Sequence, residues 1–167
     1  MSKTSLYRLF ESKDALIAAF AAEQDRLFWA RWDRVKEQHA DDPRASLKAL
    51  LSGIVERIGR PAFRGCPFFN LATEFPDQNH PGRIIARDNK KEMRARLAAI
   101  VAKLGATDPN GVASQIALII NGQAVRQPSD TIKTCPPFAD AVFEHATVLK
   151  IGLVFAWRTR PEFNRVN

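Results

Sequence analysis

The stretch KTSLYRLFESKDALIAAF, residues 3–20, decides how this chain is read. It crowds Lys3, Thr4, Ser5, Tyr7 and Arg8 around Leu6, Leu9 and Phe10. A short helix over residues 2–10 turns Leu6, Leu9 and Phe10 inward and leaves the polar set outward or at its N-terminal end. Hydroxyls and ammonium groups bond phosphates, and arginine or lysine reaches guanine edges, so this is the side-chain set of a helix that enters a major groove. A polar, capped first helix with no ligand accounts for the same residues and is the commoner case. Ser12 then caps a second helix, with Asp14 favourable in its first turn. Lys13 stands beside the free N–H groups of that turn, where both can meet a phosphate.

Outward from this stretch, helical signals dominate. Leu16, Ile17, Phe20, Leu27, Phe28 and Val35 follow at helical spacing, so the second helix runs to about residue 38. HADDPRAS breaks it, and Asp42 followed by Pro43 opens the next, because a proline at the first helical position gives up an N–H that has no partner anyway. Leu47, Leu50, Leu51, Ile54 and Ile58 make one stripe, which Gly59 and Pro61 stop. FRGCPFFNLATEF reads as a helix of two or three turns, and PDQNHPG as a polar loop. A long helix from about Arg83 to Leu104 carries Met93, Leu97, Ile100 and Leu104 on one side, with Gly105 closing it. Asp108-Pro109 opens a helix to about Val125, and Phe138 to about Trp157 is the last. Both late helices are apolar on more than one face. They must be covered twice, by their own domain and by something else, for which a second copy in a two-fold dimer is the simplest choice. Central helices of a monomer are the alternative. With no strand alternation and no internal repeat, the class is all-α.

Composition bounds the rest. The chain has 167 residues, of which 46% are hydrophobic and 26% charged, enough for one domain with a sizeable core or a domain with a small appendage. The unbroken apolar runs, such as Ala15 to Ala22, fall well short of the roughly 20 residues of a membrane span. The N-terminal run is interrupted by Ser12, Lys13 and Asp14, unlike a signal peptide. Cys66 and Cys135 give no disulfide framework, and His39, His80 and His145 are too dispersed for a metal site. The expectation is a cytoplasmic protein with no metal, no cofactor and no membrane partner. Net charge is +7, which permits a polyanionic partner. The excess, however, lies in Arg83, Arg87, Lys90, Lys91, Arg94 and Arg96, far from the opening stretch, where a solvated helix face explains it as well. Paired carboxylates, a nucleophile with its base and a phosphate loop are all missing from the pattern, so no enzyme is expected.

The opening stretch resembles the end of the helix-turn-helix of the TetR family of bacterial transcriptional regulators. Two small polar residues, Thr4 and Ser5, precede Leu6 and Tyr7; Phe10 follows, then Lys13, Asp14 and Leu16 at that family's spacing. The similarity implies a partial helix-turn-helix segment over residues 1–38, including the connecting helix, followed by a helical regulatory domain over 39–160 with a two-helix dimer face. It implies that Lys3, Thr4, Ser5 and Arg8 face bases or phosphates, that Tyr7 contacts phosphate, and that Lys13 holds phosphate from the start of the next helix. The family places two helices before the recognition helix, and Met1 stands where the turn into the recognition helix would end. DNA binding by the chain as written is therefore expected to be weak, through either a start codon set too late or a real truncation. The expected function is a ligand-responsive regulator, most simply a repressor, working as a homodimer on an operator. A regulatory-domain-only dimer that binds a small molecule or a full-length relative is the alternative.

The segment RGCPFFNLATEFPDQNHPGRIIARDNKKEMRARL also resembles the regulatory domain of one TetR branch, through Gly65-Cys66-Pro67-Phe68, the Phe75-Pro76 turn and the basic helix. A small-molecule effector pocket is expected there, lined by Phe63, Phe68, Phe69, Asn70, Phe75, Ile119, Gln123 and Phe143. Plain core packing is the competing reading for each aromatic and aliphatic member. Asn70, Asn121 and Gln123 are amides among apolar neighbours, and a buried amide needs a partner, which a ligand, the backbone or a dimer seam can supply.

Overall fold

The computed structural model describes residues 8–125, with side chains through Gly122. Arg8 and Leu9 are helical. Five helices follow: α1 Lys13–Gln38, α2 Pro43–Ile58, α3 Pro67–Glu74, α4 Pro81–Lys103 and α5 Pro109–Val125, with no strand among the described residues. The expected last helix at 138–157 lies outside them.

Local chemistry sets the helix starts. The Ser12 hydroxyl accepts from the Ala15 N–H at 3.0 Å, and Asp42 accepts from the N–H groups of Arg44 and Ala45, both at 2.9 Å. Asp108 accepts from the Gly111 N–H at 2.9 Å. Each satisfies a donor that the first turn leaves without a partner. Helix α4 starts at Pro81, two residues before the position its sequence suggests. The reason is His80, whose ring Nδ1 accepts from the Gly82 N–H at 3.2 Å and so acts as a cap from within the expected loop. At the other end of α4, Gly105 has φ 79°, a conformation that costs glycine nothing.

The core has two parts. The larger joins Trp32 of α1, Leu47, Leu50 and Leu51 of α2, Met93, Leu97 and Val101 of α4, and Val112, Ala113, Ile116, Ala117 and Ile120 of α5. Trp32 is held edge-on by Trp29, ring centroids 5.7 Å apart. The smaller gathers Ala21, Phe68, Leu71 and Ala86 beneath Ile17, Phe75 and Ile85. Helix α1 therefore faces inward through Ile17, Ala21, Phe28 and Trp32, a stripe that departs from the expected one. Phe20, one position aside from Ala21, is 50% exposed. Leu9, expected to turn inward, is 63% exposed, because its helical turn ends before Ser12 and no described residue covers it. On α5, Leu118 and Ile119 point away from Ile116, Ala117 and Ile120, as a helix apolar on more than one face requires.

One close approach ties the two ends of this arrangement together. A methyl group added at Gly82 would lie 2.9 Å from the Ile17 Cγ2 and 3.3 Å from the His80 ring. Ile17 is branched at Cβ and cannot swing aside freely. Gly82→Val should therefore lower stability by about 1–3 kcal/mol in urea denaturation. A change within about 0.5 kcal/mol, the usual effect of a surface substitution, would show that this crossing has room to spare.

Candidate effector cleft and nucleic-acid-facing end

At the front of the chain, Arg8 and Lys13 are the described members of the expected DNA-binding set, and both are exposed. Lys3, Thr4, Ser5 and Tyr7 lie outside the described residues. Lys13 is the first residue of α1, directly after the capping Ser12, so its ammonium and the first-turn N–H groups share one end of the helix. Its Nζ stands 5.9 Å from the centroid of the Phe75 ring.

Behind this end opens a cleft of about 830 Å³, walled by the first turns of α1, the end of α2, the 59–66 loop and α3. Phe63, Asn70 and Phe75 of the expected pocket meet here, alongside Leu16, Ile17, Phe20, Pro67 and Leu71. Phe68 and Phe69 instead line a smaller hollow of about 250 Å³ with Gln78, Arg83, Arg87 and Lys90. Phe68 itself is a core residue, 4% exposed. Ile119 is 38% exposed on the outer side of α5, and Gln123 belongs to α5 with its side chain outside the described set. Phe143 also lies outside the described residues. The amides find ordinary partners. Asn70 is exposed and donates from Nδ2 to the Arg64 carbonyl at 3.1 Å, and Asn121 accepts from the Lys90 ammonium at 3.1 Å.

The charged wall of the cleft is the part that the sequence reading missed. Lys13, Arg57, Arg60 and Arg64 line it against a single carboxylate, Glu74. Burial pushes the Arg57 pKa below the usual arginine value, and the nearby Arg31 and Arg60 push it further the same way. The signal was present in the sequence: ERIGRPAFRG carries three arginines in a turn-rich segment with only Glu56 beside them.

A compact joint connects the cleft to the front of α1. The Phe75 ring stacks on His80, centroids 4.1 Å apart and planes within 16°. His80 is 8% exposed. Because its Nδ1 accepts from Gly82, the neutral ring carries its proton on Nε2. That nitrogen sits 3.4 Å from the Asp14 carboxylate, near enough for attraction but outside hydrogen-bonding geometry. Arg83 completes the joint. Its Nη1 donates to the carbonyls of Ala72, Phe75 and Pro76 at 3.1, 2.7 and 3.0 Å, closing the end of α3.

The basic stretch of α4 is thus only partly a solvated face. Arg83 is a clamp, and Lys90 lies 5.0 Å from the Phe69 ring centroid. Arg96 bonds Asp33 at 2.7 Å and Glu92 at 2.8 Å over the Trp29 ring. Burial works against the Arg96 charge, yet those bonds outweigh it and raise its pKa. Arg87, Lys91 and Arg94 are exposed. A polar link crosses from α1 to α4, where Asp25 accepts from Trp29 at 2.9 Å and from Asn89 at 2.8 Å. Cys66 is a half-buried free thiol beside the smaller core. Among the described residues there is no cluster of metal-ligating side chains, and no helix is long and apolar enough to cross a membrane.

No family model and no curated protein matches the chain. Solved structures do. A protein from Streptomyces avermitilis MA-4680 assigned to the TetR transcriptional regulators is 29% identical, with a TM-score of 0.69 over 88% of this chain and 81% of that one. A TetR-family transcriptional regulator from Streptomyces coelicolor has the same fold, with a TM-score of 0.74 at 22% identity over 89% of this chain and 77% of that one. The chain thus shares the all-helical fold of structures assigned to TetR-type transcriptional regulators.

Arg83→Gln should free the carbonyls at the end of α3 and cost about 1–3 kcal/mol in thermal unfolding, whereas Arg87→Gln, an exposed neighbour, should stay within about 0.5 kcal/mol. Equal effects from the two would remove the clamp from this description.

Proposed function

We propose that this protein is a ligand-responsive TetR-type repressor that works as a cytoplasmic homodimer. Residues 1–38 serve the operator, and residues 39–160 hold the effector and the dimer face. Lys3, Thr4, Ser5, Tyr7 and Arg8 read bases and phosphates, and Lys13 grips phosphate from the head of α1. The effector occupies the cleft against Phe63, Asn70 and Phe75. The outward Leu118 and Ile119 of α5 support a two-fold interface there.

The observation that carries this reading is the position of Lys13. It heads the helix that follows the recognition segment, and it also lines the cleft. A ligand in the cleft therefore touches the same rigid element that sets the phosphate contact. Half-sites lie about 34–36 Å apart, so a small pivot of α1 in each subunit takes the two reading ends out of register. The ligand acts by favouring one of the two spacings.

The test is a mobility-shift titration of the full chain on DNA from upstream of its own gene. The reading expects a weak retarded complex that is lost as salt rises, and Lys13→Ala should weaken it further on every sequence and lower the salt slope by about 1. A folded dimer that retards no DNA would replace this reading with that of a regulatory-domain-only dimer.

A further inference from the structure

The geometry points to an amphipathic anion as the occupant of the cleft: a small molecule with an apolar body and a carboxylate, sulfonate or phosphate head. This rests on the reading of the cleft as the effector site and assigns its ligand a chemical class.

The size suits a small molecule, since about 830 Å³ falls in the range of ligand pockets, roughly 300–1,000 Å³. The lining divides by chemistry. Leu16, Ile17, Phe20, Phe63, Leu71 and Phe75 offer apolar surface. Phe20 remains 50% exposed, an unusual state for so large an apolar side chain beside a core. Around this surface stand Lys13, Arg57, Arg60 and Arg64, with only Glu74 of opposite sign.

Arg57 makes the case strongest. It is half-buried, and among the described residues no carboxylate pairs with it or with Arg60. Its nearby charged groups include Arg31 and Arg60, which repel it. A guanidinium drawn partly out of water beside like charges is unfavourable until an anion arrives. Forked N–H donors then bind a planar carboxylate or a tetrahedral head with two bonds at once. A neutral ligand would leave these charges as they are, and a cationic one would add to the repulsion.

The experiment uses two fluorescent probes that share the same aromatic body: anilinonaphthalene sulfonate, an anion, and phenylnaphthylamine, its neutral parent. Each is titrated into the full chain at low salt. The sulfonate should bind at least about tenfold more tightly than the neutral probe. The double variant Arg57→Gln, Arg60→Gln should lose about tenfold for the sulfonate and keep the neutral probe within about twofold. Phe63→Ala should weaken both. Should the double variant fail to fold, the ratio of the two probes on the unaltered chain still decides. Equal affinities, or a sulfonate indifferent to the arginines, would overturn the anion. If the neutral probe still depends on Phe63, the effector cleft survives that result. If Phe63→Ala moves neither probe, the cleft falls as well.

Discussion

The approach of Gly82 to Ile17 is the constraint on which the front half of the molecule depends. Helix α4 can begin against α1 only because residue 82 has no side chain. That closeness sets His80 where its ring can cap α4, stack on Phe75 and face Asp14. Phe75 in turn ends α3, is bonded at its carbonyl by Arg83, and forms one wall of the cleft. The first turn of α1, the end of α3 and the start of α4 are therefore one packed unit. The larger core around Leu51, Met93 and Leu97 lies further along α1 and holds its other end.

In the proposed function, such a unit supplies the mechanism. Well-packed elements have discrete arrangements and do not bend continuously, so a change at one wall of the cleft is passed on as a shift of the whole joint. The lever is α1, 26 residues long and anchored by Trp32 in the core. In that proposal the charges around the cleft are the lever's input, because Lys13 belongs both to the cleft and to the front of the helix.

Much of this was legible in the sequence. The bounds of α1 and α2 followed from Ser12, Asp42 and Pro43, whose capping roles depend only on local chemistry. The stripe of Leu47, Leu50, Leu51 and Ile58 is buried as its spacing requires. The likeness to TetR-type regulators was legible too, in the order of Thr4, Ser5, Leu6, Tyr7, Phe10 and Lys13. What stayed hidden depends on contacts between elements. The pattern of α1 contains more apolar residues than one face can bury, so it could not say that Ala21 and Trp32 go inward while Phe20 stays at a wall. His80 looked like a loop residue because histidine is an uncommon cap. The aromatic residues of 63–75 were read as one group, yet the short helix α3 turns Phe68 and Phe69 to one side and Asn70 to the other. The cleft arginines do not stand out in sequence beside the longer basic run on α4, much of which is tied up in structural bonds.

The claim that the head of α1 and the wall of the cleft move as one body can be tested most directly by amide hydrogen exchange on the full chain and on Phe75→Ala. Removing the ring should speed exchange together in the first turns of α1 and of α4, residues 13–20 and 80–85, while residues 93–101 in the larger core keep their protection. Exchange in 13–20 that does not change when Phe75 is removed would contradict the account, because the cleft would then have no mechanical hold on the head of α1.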